Sequence, residues 1–353
     1  MTSPRFLVSH ALPEPGMSML AEAGSVEVLE VSPDSTELGR LCRSGRFDVL
    51  IAHLGDDLTA GTLEGTALKG VSLYSAGVNN VDLDTASRSG VLVANTPDVL
   101  TDATADTAIL LMLAASRRCV EADRYLRDGY FRGWSPDLML GRNIAGATLG
   151  LAGFGRIARA TARRALGFGM HVQYCPRPPT DDPSSGPEHG DLEGRVTEVS
   201  WRELVTTSDV LSLHVPLAPA TRHMINTSIF EAMPTGAVLV NTARGALVDE
   251  AALVEALRAG SIAAAGLDVY ENEPALTPGL VELPNTVLLP HIGSATHTVR
   301  GEMARLCAAN AIEMARGELP ATAVNPDAWK RSPLAMEIAA ADPRLLRRGS
   351  SRA

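Results

Sequence analysis

Short apolar runs alternate with amphipathic stretches along the first hundred residues. The apolar runs predict strands at RFLVSH, VEVLEV, FDVLIAH, VSLYSAG and VLVANT. The stretches STELGRLCRSG and DLDTASRSG, which lie between such runs, have the spacing of helices. Strands that alternate with helices are typical of an α/β domain built on a parallel sheet.

A second series of the same kind begins near residue 147. Before it, residues 101–128 form an Ala/Leu-rich pattern that predicts one long helix. Strands are then predicted at ATLGLAG, MHVQYC, DVLSLHVP, GAVLVNTA, IAAAGLDVY and NTVLLPH, and a last helix within HTVRGEMARLCAANAIEMARGELP. A Pro/Gly/Ser-rich surface loop is predicted between Arg177 and Arg195. The pattern therefore predicts two α/β domains, followed by a tail with little periodicity.

Composition narrows the possible functions. The 353 residues, 45% of them hydrophobic, are enough for two domains with buried cores. A net charge of −10 without a basic cluster argues against nucleic acid or an anionic membrane as a partner. The longest apolar run, residues 108–115, is too short to span a membrane, and the N-terminus lacks an apolar segment of signal-peptide length. Cys42, Cys119, Cys175 and Cys307 lack metal-ligand spacing, so we expect individually buried reduced thiols, a cytoplasmic location and no metal site.

A glycine-containing turn follows the strand ATLGLAG. Gly153 permits a tight turn, Gly155 lets the backbone approach a pyrophosphate, and Ala158 is small enough for a helix to pack closely on the strand. The N–H groups that begin this helix, aided by the helix dipole, would bind the phosphates. Glycine turns occur in many βα units, but the strand before, the helix after and a further strand favour a dinucleotide site.

The acid that usually binds the adenosine ribose of such a dinucleotide is absent. At the end of the next strand the sequence reads Tyr174-Cys175-Pro176-Arg177, with Pro176 at the expected place of the acid. A carboxylate there binds the ribose hydroxyls of NAD and repels the 2′-phosphate of NADP, whereas an arginine pairs with that phosphate. Arg177 could also be an ordinary exposed side chain. We therefore expect NADP(H) to be preferred, with NAD(H) possible.

Three predicted strand ends in the second series are followed by reactive residues, namely Arg244, Glu273 and His291. Ligands of open parallel sheets bind at these ends. An arginine can bind a substrate carboxylate, a histidine can protonate an alkoxide, and a carboxylate behind the histidine fixes its tautomer. Each residue alone could be structural, as a surface arginine, a turn acid or a core histidine. Together they predict hydride transfer to a keto acid.

Five motifs carry a resemblance to a known family. They are TLGLAGFGRIA, HVPLAPATRHMI, NTARGALVDEAAL, AGLDVYENEP and LLPHIGSAT. In order and spacing the sequence resembles the D-isomer-specific 2-hydroxyacid dehydrogenase family up to about Pro326. LTDATADTAILLMLAASRR and ENEP…LLPHIGSAT look most like the glyoxylate/hydroxypyruvate reductase branch. The sequence departs from the family pattern in Ala158, in the missing ribose acid and in the residues after Pro326.

The resemblance implies roles for particular residues. Arg244, Glu273 and His291 would be catalytic, and Asp268 would contact the nicotinamide carboxamide. The remaining cofactor contacts would be made by Thr107, Gly153, Phe154, Gly155, Arg156, Ile157, Arg177, His214, Pro216, Thr221, Thr242, Ala243 and His291. The substrate would be bound by Leu54, Gly55, Arg244 and the loop Ala76, Gly77, Val78 and Asn79.

The family fold implies two Rossmann-like or flavodoxin-like α/β domains with parallel sheets and an interdomain cleft. Residues 1–100 would begin the substrate domain, residues 101–292 would form the dinucleotide-binding domain, and residues 293–326 would return to the substrate domain. Residues 327–353 would be a tail, either disordered or a packing arm. We also expect a homodimer, formed next to the helix that begins at Thr101.

The reaction implied is the NAD(P)H-dependent reduction of glyoxylate or hydroxypyruvate to glycolate or D-glycerate. Phosphoglycerate and D-2-hydroxy acids of the branched-chain type are alternative substrates. Phosphoglycerate is less favoured, because nothing near Leu54 offers a basic group for a substrate phosphate. A dinucleotide-sensing corepressor of the same fold is the alternative outside enzymes, although no sequence feature indicates a peptide partner.

Overall fold

The computed structural model describes residues 3–30, 34–179 and 190–331. The protein divides into two compact units. The first unit consists of two segments of the chain, one that ends at Leu100 and one that begins at Thr296. The second unit is the segment between them, Thr101–Ala295. Among the described residues, none of the helices combines the length and the apolar character needed to cross a membrane.

The regular elements follow one another in the alternation that the apolar pattern predicts. Up to Leu100 they are β1 (Arg5–Val8), α1 (Gly16–Ala23), β2 (Ser25–Val28), α2 (Ser35–Arg43), β3 (Val49–Ala52), α3 (Ala60–Leu63), β4 (Gly70–Leu73), α4 (Leu83–Arg88) and β5 (Leu92–Ala94). Then come α5 (Thr101–Ser116), α6 (Cys119–Arg127), β6 (Thr148–Ala152), α7 (Arg156–Gly167), β7 (His171–Cys175), β8 (Thr197–Glu198), α8 (Trp201–Thr207), β9 (Val210–Leu213), α9 (Thr227–Ala232), β10 (Val238–Asn241), α10 (Glu250–Ala259), β11 (Ala264–Leu267), β12 (Thr286–Leu288) and α11 (His297–Arg316).

The first unit is a five-stranded parallel sheet in the order β2-β1-β3-β4-β5. Successive residues of a strand point to opposite faces. On β3, Leu50 packs in one core cluster with α2, and Ile51 packs in a second cluster with α1 and α11. Both faces of the sheet are therefore buried, which explains why its strands read as continuous apolar runs.

The second unit is a seven-stranded parallel sheet in the order β12-β11-β10-β9-β6-β7-β8. Its strand order reverses between β6 and β9, which is the arrangement of a doubly wound dinucleotide-binding sheet. One core cluster packs α5 and α7 on one face, and another packs α8, α9 and α10 on the other. Two sheets of parallel strands with helices on both faces confirm the predicted fold class.

Side-chain caps explain several helix starts. Asp34, Asp82, Ser200, Asp249 and Thr296 each accept a hydrogen bond from a backbone N–H three residues further on. Such a cap satisfies one of the N–H groups that have no partner inside the helix. Polar residues just before the apolar pattern thus set where these helices begin.

The structure differs from two sequence expectations and describes the first residues of the predicted tail. The predicted helix over residues 101–128 is two helices, because Arg118 adopts a left-handed backbone conformation with φ of 54°. Cys119 is exposed, although Cys42, Cys175 and Cys307 are buried as expected. The first residues of the predicted tail form a 3₁₀ helix, Pro326–Arg331, in which Ala328 is buried in the core of the first unit. The predicted loop residues 180–189 and tail residues 332–353 lie outside the described residues.

Candidate active site

Glu273 and His291 form an ion pair in the second unit. Nδ1 of His291 lies 2.8 Å from Oε2 of Glu273. Glu273 follows β11 and His291 follows β12, and these strands are parallel neighbours, so both residues emerge at the same edge of the sheet. An ionised carboxylate only accepts hydrogen bonds, so Nδ1 of His291 is the donor and Nε2 is left to exchange a proton.

The loop that carries His291 is held by a buried carboxylate. Oδ1 of Asp268 accepts from the backbone N–H of Ile292, and Oδ2 accepts from that of Gly293, both at 2.7 Å. His291 itself has a φ of 55°, a conformation that is strained for a residue with a side chain. Each oxygen keeps a further lone pair, so the predicted contact of Asp268 with a carboxamide stays a prediction.

Arg244 lies after β10, in a turn that its neighbours shape. The side-chain amide of Asn241, buried at the end of β10, donates to the carbonyl of Arg244 at 2.9 Å and accepts from the N–H of Ala243 at 3.0 Å. Nη1 of Arg244 donates to the carbonyl of Ala243 at 2.6 Å. A Cβ on Gly245 would lie 1.8 Å from the carbonyl carbon of Tyr270, so only glycine allows this approach.

Tyr270 connects both members of the ion pair. Its backbone N–H donates to Oε1 of Glu273 at 2.8 Å. Its hydroxyl donates at 2.9 Å to the carbonyl of Leu289, two residues before His291. Sequence reasoning missed Tyr270, Asn241 and Gly245. All three lie inside the motifs that drew attention to the site, but contacts between different strand ends leave no local pattern.

The ionisable groups of the site affect one another's pKa values. Burial raises the pKa of Glu273, but the hydrogen bonds from His291 and Tyr270 outweigh it and hold that pKa below its ordinary value. Burial lowers the pKa of Arg244, and the charge of Glu273 opposes this effect. Arg244 therefore presents a partly desolvated cation beside a carboxylate that stays ionised. The set can bind an anion and deliver a proton, which is what the reduction of a keto acid needs.

The predicted dinucleotide turn lies between β6 and α7, at the reversal of strand order. Gly153 has a φ of 95°, and a Cβ there would lie 2.8 Å from the carbonyl oxygen of His214. A Cβ on Gly155 would meet no protein atom within 4 Å, so protein packing does not require this glycine. The predicted role of Gly155, to let the backbone approach a pyrophosphate, is compatible with this open space and stays a prediction. Ala158 is fully buried, as its predicted packing role requires.

Other predicted cofactor residues surround the same sheet edge. Oγ1 of Thr242, after β10, is buried and has no protein hydrogen-bond partner. A hydrogen bond to a polar ligand atom would satisfy it, which is compatible with the predicted contact with the cofactor. Desolvation lowers the pKa of His214 to about 4, so its ring is neutral. The hydroxyl of Thr221 donates to the carbonyl of Pro216 at 2.8 Å and shapes that turn. Arg177, the second residue after β7, is exposed.

The predicted substrate residues of the first unit lie where two neighbouring strands end. Leu54 and Gly55 follow β3, and residues 76–79 follow β4. Nδ2 of Asn95 donates to the carbonyl of Ala76 at 2.6 Å and orders the start of that loop. The expectation that no basic group lies near Leu54 is wrong, because Arg300 and the imidazoles of His10 and His53 line one pocket with it. Arg300 is far away in sequence and could not be connected with Leu54 from spacing.

Comparison with known proteins finds a matching family model and similar proteins over most of the chain. The model of the "D-isomer specific 2-hydroxyacid dehydrogenase, NAD binding domain" matches residues 109–293. A glyoxylate reductase of Thermococcus litoralis is 43% identical over 336 residues, which are 94% of this chain and 99% of that protein.

Solved structures show the same likeness. The TT0316 protein of Thermus thermophilus is 43% identical with a TM-score of 0.81, over 91% of this chain and 99% of that one. The NADPH-dependent glyoxylate/hydroxypyruvate reductase of Sinorhizobium meliloti, in complex with NADP and malonate, is 32% identical with a TM-score of 0.79. That match covers 92% of this chain and 98% of the other.

The two glycines of the turn make a matched test. Gly153→Ala places a Cβ against His214 at a positive φ, and we expect it to lower the free energy of unfolding by about 1–3 kcal/mol. Gly155→Ala has open space and a φ of −76°, so its stability should equal that of the wild type. It should instead weaken dinucleotide binding. Denaturant unfolding measures the stability of both variants, and cofactor titration measures their dinucleotide binding. A Gly155→Ala protein that binds the dinucleotide as well as the wild type would contradict the predicted role of this turn.

Proposed function

The chain belongs to the D-isomer-specific 2-hydroxyacid dehydrogenase family, and from this we propose that it reduces glyoxylate and hydroxypyruvate to glycolate and D-glycerate, with NADPH preferred. Membership makes it an NAD(P)-dependent oxidoreductase of small 2-keto or 2-hydroxy acids. The observation that carries the proposal is the Glu273–His291 pair beside Arg244. The names of the T. litoralis and S. meliloti relatives support the choice of substrates.

In the proposed mechanism Arg244 binds the substrate carboxylate and polarises the carbonyl. His291 donates the proton on Nε2 to the carbonyl oxygen as it becomes an alkoxide. Glu273 accepts from Nδ1 of His291, fixes the orientation of the ring and stabilises its charged form. The nicotinamide, when bound, supplies the hydride to the carbonyl carbon. In the reverse direction His291 accepts the proton of the hydroxy acid.

The preference for NADPH rests on the end of β7. Pro176 occupies the expected place of the acid, and the exposed Arg177 follows it. A guanidinium there can form charge-assisted hydrogen bonds with a 2′-phosphate. The S. meliloti reductase, which is named as NADPH-dependent and whose structure contains NADP, supports the same preference.

The proposed acid–base pair predicts both a rate and a pH effect. His291→Ala should slow reduction by a factor on the order of 10²–10⁴, the usual contribution of a general acid. Glu273 must be ionised in this pair, and its pKa is held below its ordinary value, so the rate should fall only when acidic pH protonates this carboxylate. Glu273→Gln removes the charge at every pH, so it should lower the rate at neutral pH and abolish this fall.

The measurement is kcat/KM for glyoxylate and hydroxypyruvate, each with NADPH and NADH, across pH. His297→Ala, which removes an exposed histidine six residues further on, is the matched control and should keep wild-type rates. A wild-type rate in His291→Ala would remove His291 from this role. Absence of turnover with every substrate and cofactor would leave larger D-2-hydroxy acids to test first, and then a dinucleotide-sensing binding role.

A second prediction concerns Arg177. Arg177→Ala should raise the KM for NADPH by about tenfold or more, since a charge-assisted contact is lost, and should change the KM for NADH little. Arg258→Ala removes an exposed arginine of α10 and serves as the control. Equal effects of Arg177→Ala on both cofactors would exclude the proposed contact with the 2′-phosphate.

We further propose a homodimer whose interface includes α6 and the segment that follows it. Large apolar side chains are exposed in this segment, and Trp134 is 84% exposed. The others are Leu126, Tyr130, Phe131 and Leu140. Exposed apolar patches of this kind mark association surfaces, and a second copy of the protein would cover them.

The dimer can be tested with two variants of similar exposure. Phe131 is 48% exposed within the segment, and Val281 is 51% exposed outside it. Phe131→Asp should convert the dimer to a monomer, because it places a charge in the interface, whereas Val281→Asp should leave the dimer intact. Light scattering after size-exclusion chromatography measures the mass. A dimeric Phe131→Asp protein, or a monomeric wild type, would count against this interface.

A further inference from the structure

Glu250 is a buried carboxylate of the second unit that the proposed mechanism does not use. It is the first residue of α10 and is 1% exposed. The neighbouring Asp249 already caps this helix, since its side chain accepts from the N–H of Ala252 at 3.1 Å. Glutamate is almost never buried this deeply unless its oxygens are paired. The partners of Glu250 therefore indicate what it does.

Both oxygens of Glu250 bind the segment that carries Glu273. Oε1 accepts from the backbone N–H of Glu271 at 2.7 Å, and Oε2 accepts from the hydroxyl of Thr277 at 2.5 Å. Glu271 comes before Glu273 in the sequence, and Thr277 comes after it. One buried side chain thus holds the segment 271–277 at both of its ends.

The first of these contacts adjoins a hydrogen bond of Glu273 itself. Two consecutive backbone N–H groups bind the two glutamates: that of Tyr270 donates to Oε1 of Glu273 at 2.8 Å, and that of Glu271 donates to Glu250. The other oxygen of Glu273 accepts from Nδ1 of His291. A shift of the segment 271–277 would therefore disturb both hydrogen bonds of the Glu273 carboxylate.

Glu250 also connects this segment to the turn that carries Arg244. A Cβ on Gly245 would lie 2.3 Å from the backbone nitrogen of Glu271. The turn after β10 therefore packs against the same peptide group that Glu250 binds. Since α10 follows that turn and begins at Glu250, the supports of Arg244 and Glu273 meet at the N–H of Glu271.

We propose that Glu250 is a positioning residue of the Glu273–His291 pair. It holds the segment 271–277 so that the Glu273 carboxylate can accept from Tyr270 and from His291 at the same time. It acts through Glu273 and not on the substrate. This inference rests on the proposed function, since it concerns the acid–base pair of the same reaction.

The pH dependence of kcat/KM for glyoxylate tests this role in Glu250→Ala, which removes both contacts. Hydrogen bonds from His291 and Tyr270 hold the pKa of Glu273 below its ordinary value. If the segment loosens, these bonds weaken and that pKa rises, so the fall in rate at acidic pH should begin about 0.5 pH unit or more higher. The variant retains the charged groups that face Glu273, namely His291, Arg244 and Asp268.

The direction of the shift separates positioning from charge. Glu250→Ala also removes a negative charge, and a nearby negative charge raises the pKa of a carboxylate. Loss of that charge alone would therefore move the acidic fall to lower pH, opposite to the expected shift. Glu250→Gln removes the charge but keeps an oxygen for the N–H of Glu271 and an amide that can donate to the hydroxyl of Thr277. It should restore the wild-type profile.

Two further variants separate positioning from stability. Asp249→Ala removes the cap one residue earlier, so it destabilises α10 without touching the segment 271–277. It should keep the wild-type pH profile. Thr277→Val removes one of the two contacts of Glu250 and is the test if Glu250→Ala does not fold. It should move the acidic fall in the same direction by a smaller amount.

The ring signal of His291 reports its position without any turnover. The full chain is labelled isotopically at Cε1 of its histidines, and the magnetic-resonance signal that disappears in His291→Ala belongs to His291. At neutral pH we expect this signal to shift in Glu250→Ala, because the contact with Glu273 changes. It should keep its wild-type position in Asp249→Ala and in Glu250→Gln.

The outcomes separate this inference from the proposed function. The inference is wrong if Glu250→Ala keeps both the acidic fall and the His291 signal of the wild type, or if its fall moves to lower pH. It is also wrong if Asp249→Ala causes the same shifts, or if Glu250→Gln behaves like Glu250→Ala. If no keto acid is reduced with either cofactor, the proposed function fails, and the His291 signal alone decides whether Glu250 positions the pair.

Discussion

One buried carboxylate determines the geometry of the candidate active site. Asp268 is 1% exposed, and burial raises its pKa, while its two hydrogen bonds from the N–H groups of Ile292 and Gly293 act in the opposite direction. Those bonds fix the backbone directly after His291 and help keep that residue at its strained φ. From this backbone the imidazole of His291 reaches the carboxylate of Glu273, with Nδ1 2.8 Å from Oε2. A carboxylate buried this deeply is tolerated because each oxygen is paired.

Near this carboxylate, contacts connect the turns that follow three neighbouring strands. Gly245 brings the turn after β10 against the backbone of Tyr270, which follows β11, and the Tyr270 hydroxyl reaches Leu289 beyond β12. The residues proposed for chemistry thus come from three separate turns but are supported by shared contacts. A site supported in this way holds its groups in place before substrate arrives, so little reorganisation is needed during proton transfer.

Much of this architecture could be predicted from the sequence, and the features that could not be predicted have physical reasons. Strands buried on both faces give unbroken apolar runs, and the glycine turn between β6 and α7 has a local pattern, so both were recognised. The helix break at Arg118 was not, because the apolar pattern continues across it and arginine has no special preference for a left-handed backbone. The pocket with Arg300 was missed since tertiary folding alone brings α11 beside β1 and β3. The support given by Tyr270 is equally non-local.

The placement of α11 also affects the order of synthesis and folding. This helix completes the core of the first unit: the Ser72 hydroxyl donates to the carbonyl of Cys307 at 2.8 Å, and Asn310 donates to the carbonyl of Asn95 at 3.0 Å. A ribosome releases the first hundred residues long before α11 exists, so one face of their sheet emerges without its cover. The second unit is continuous in sequence and has its whole core once Ala295 has emerged. Translation therefore lets the second unit fold first, while the core of the first unit is incomplete until α11 has emerged.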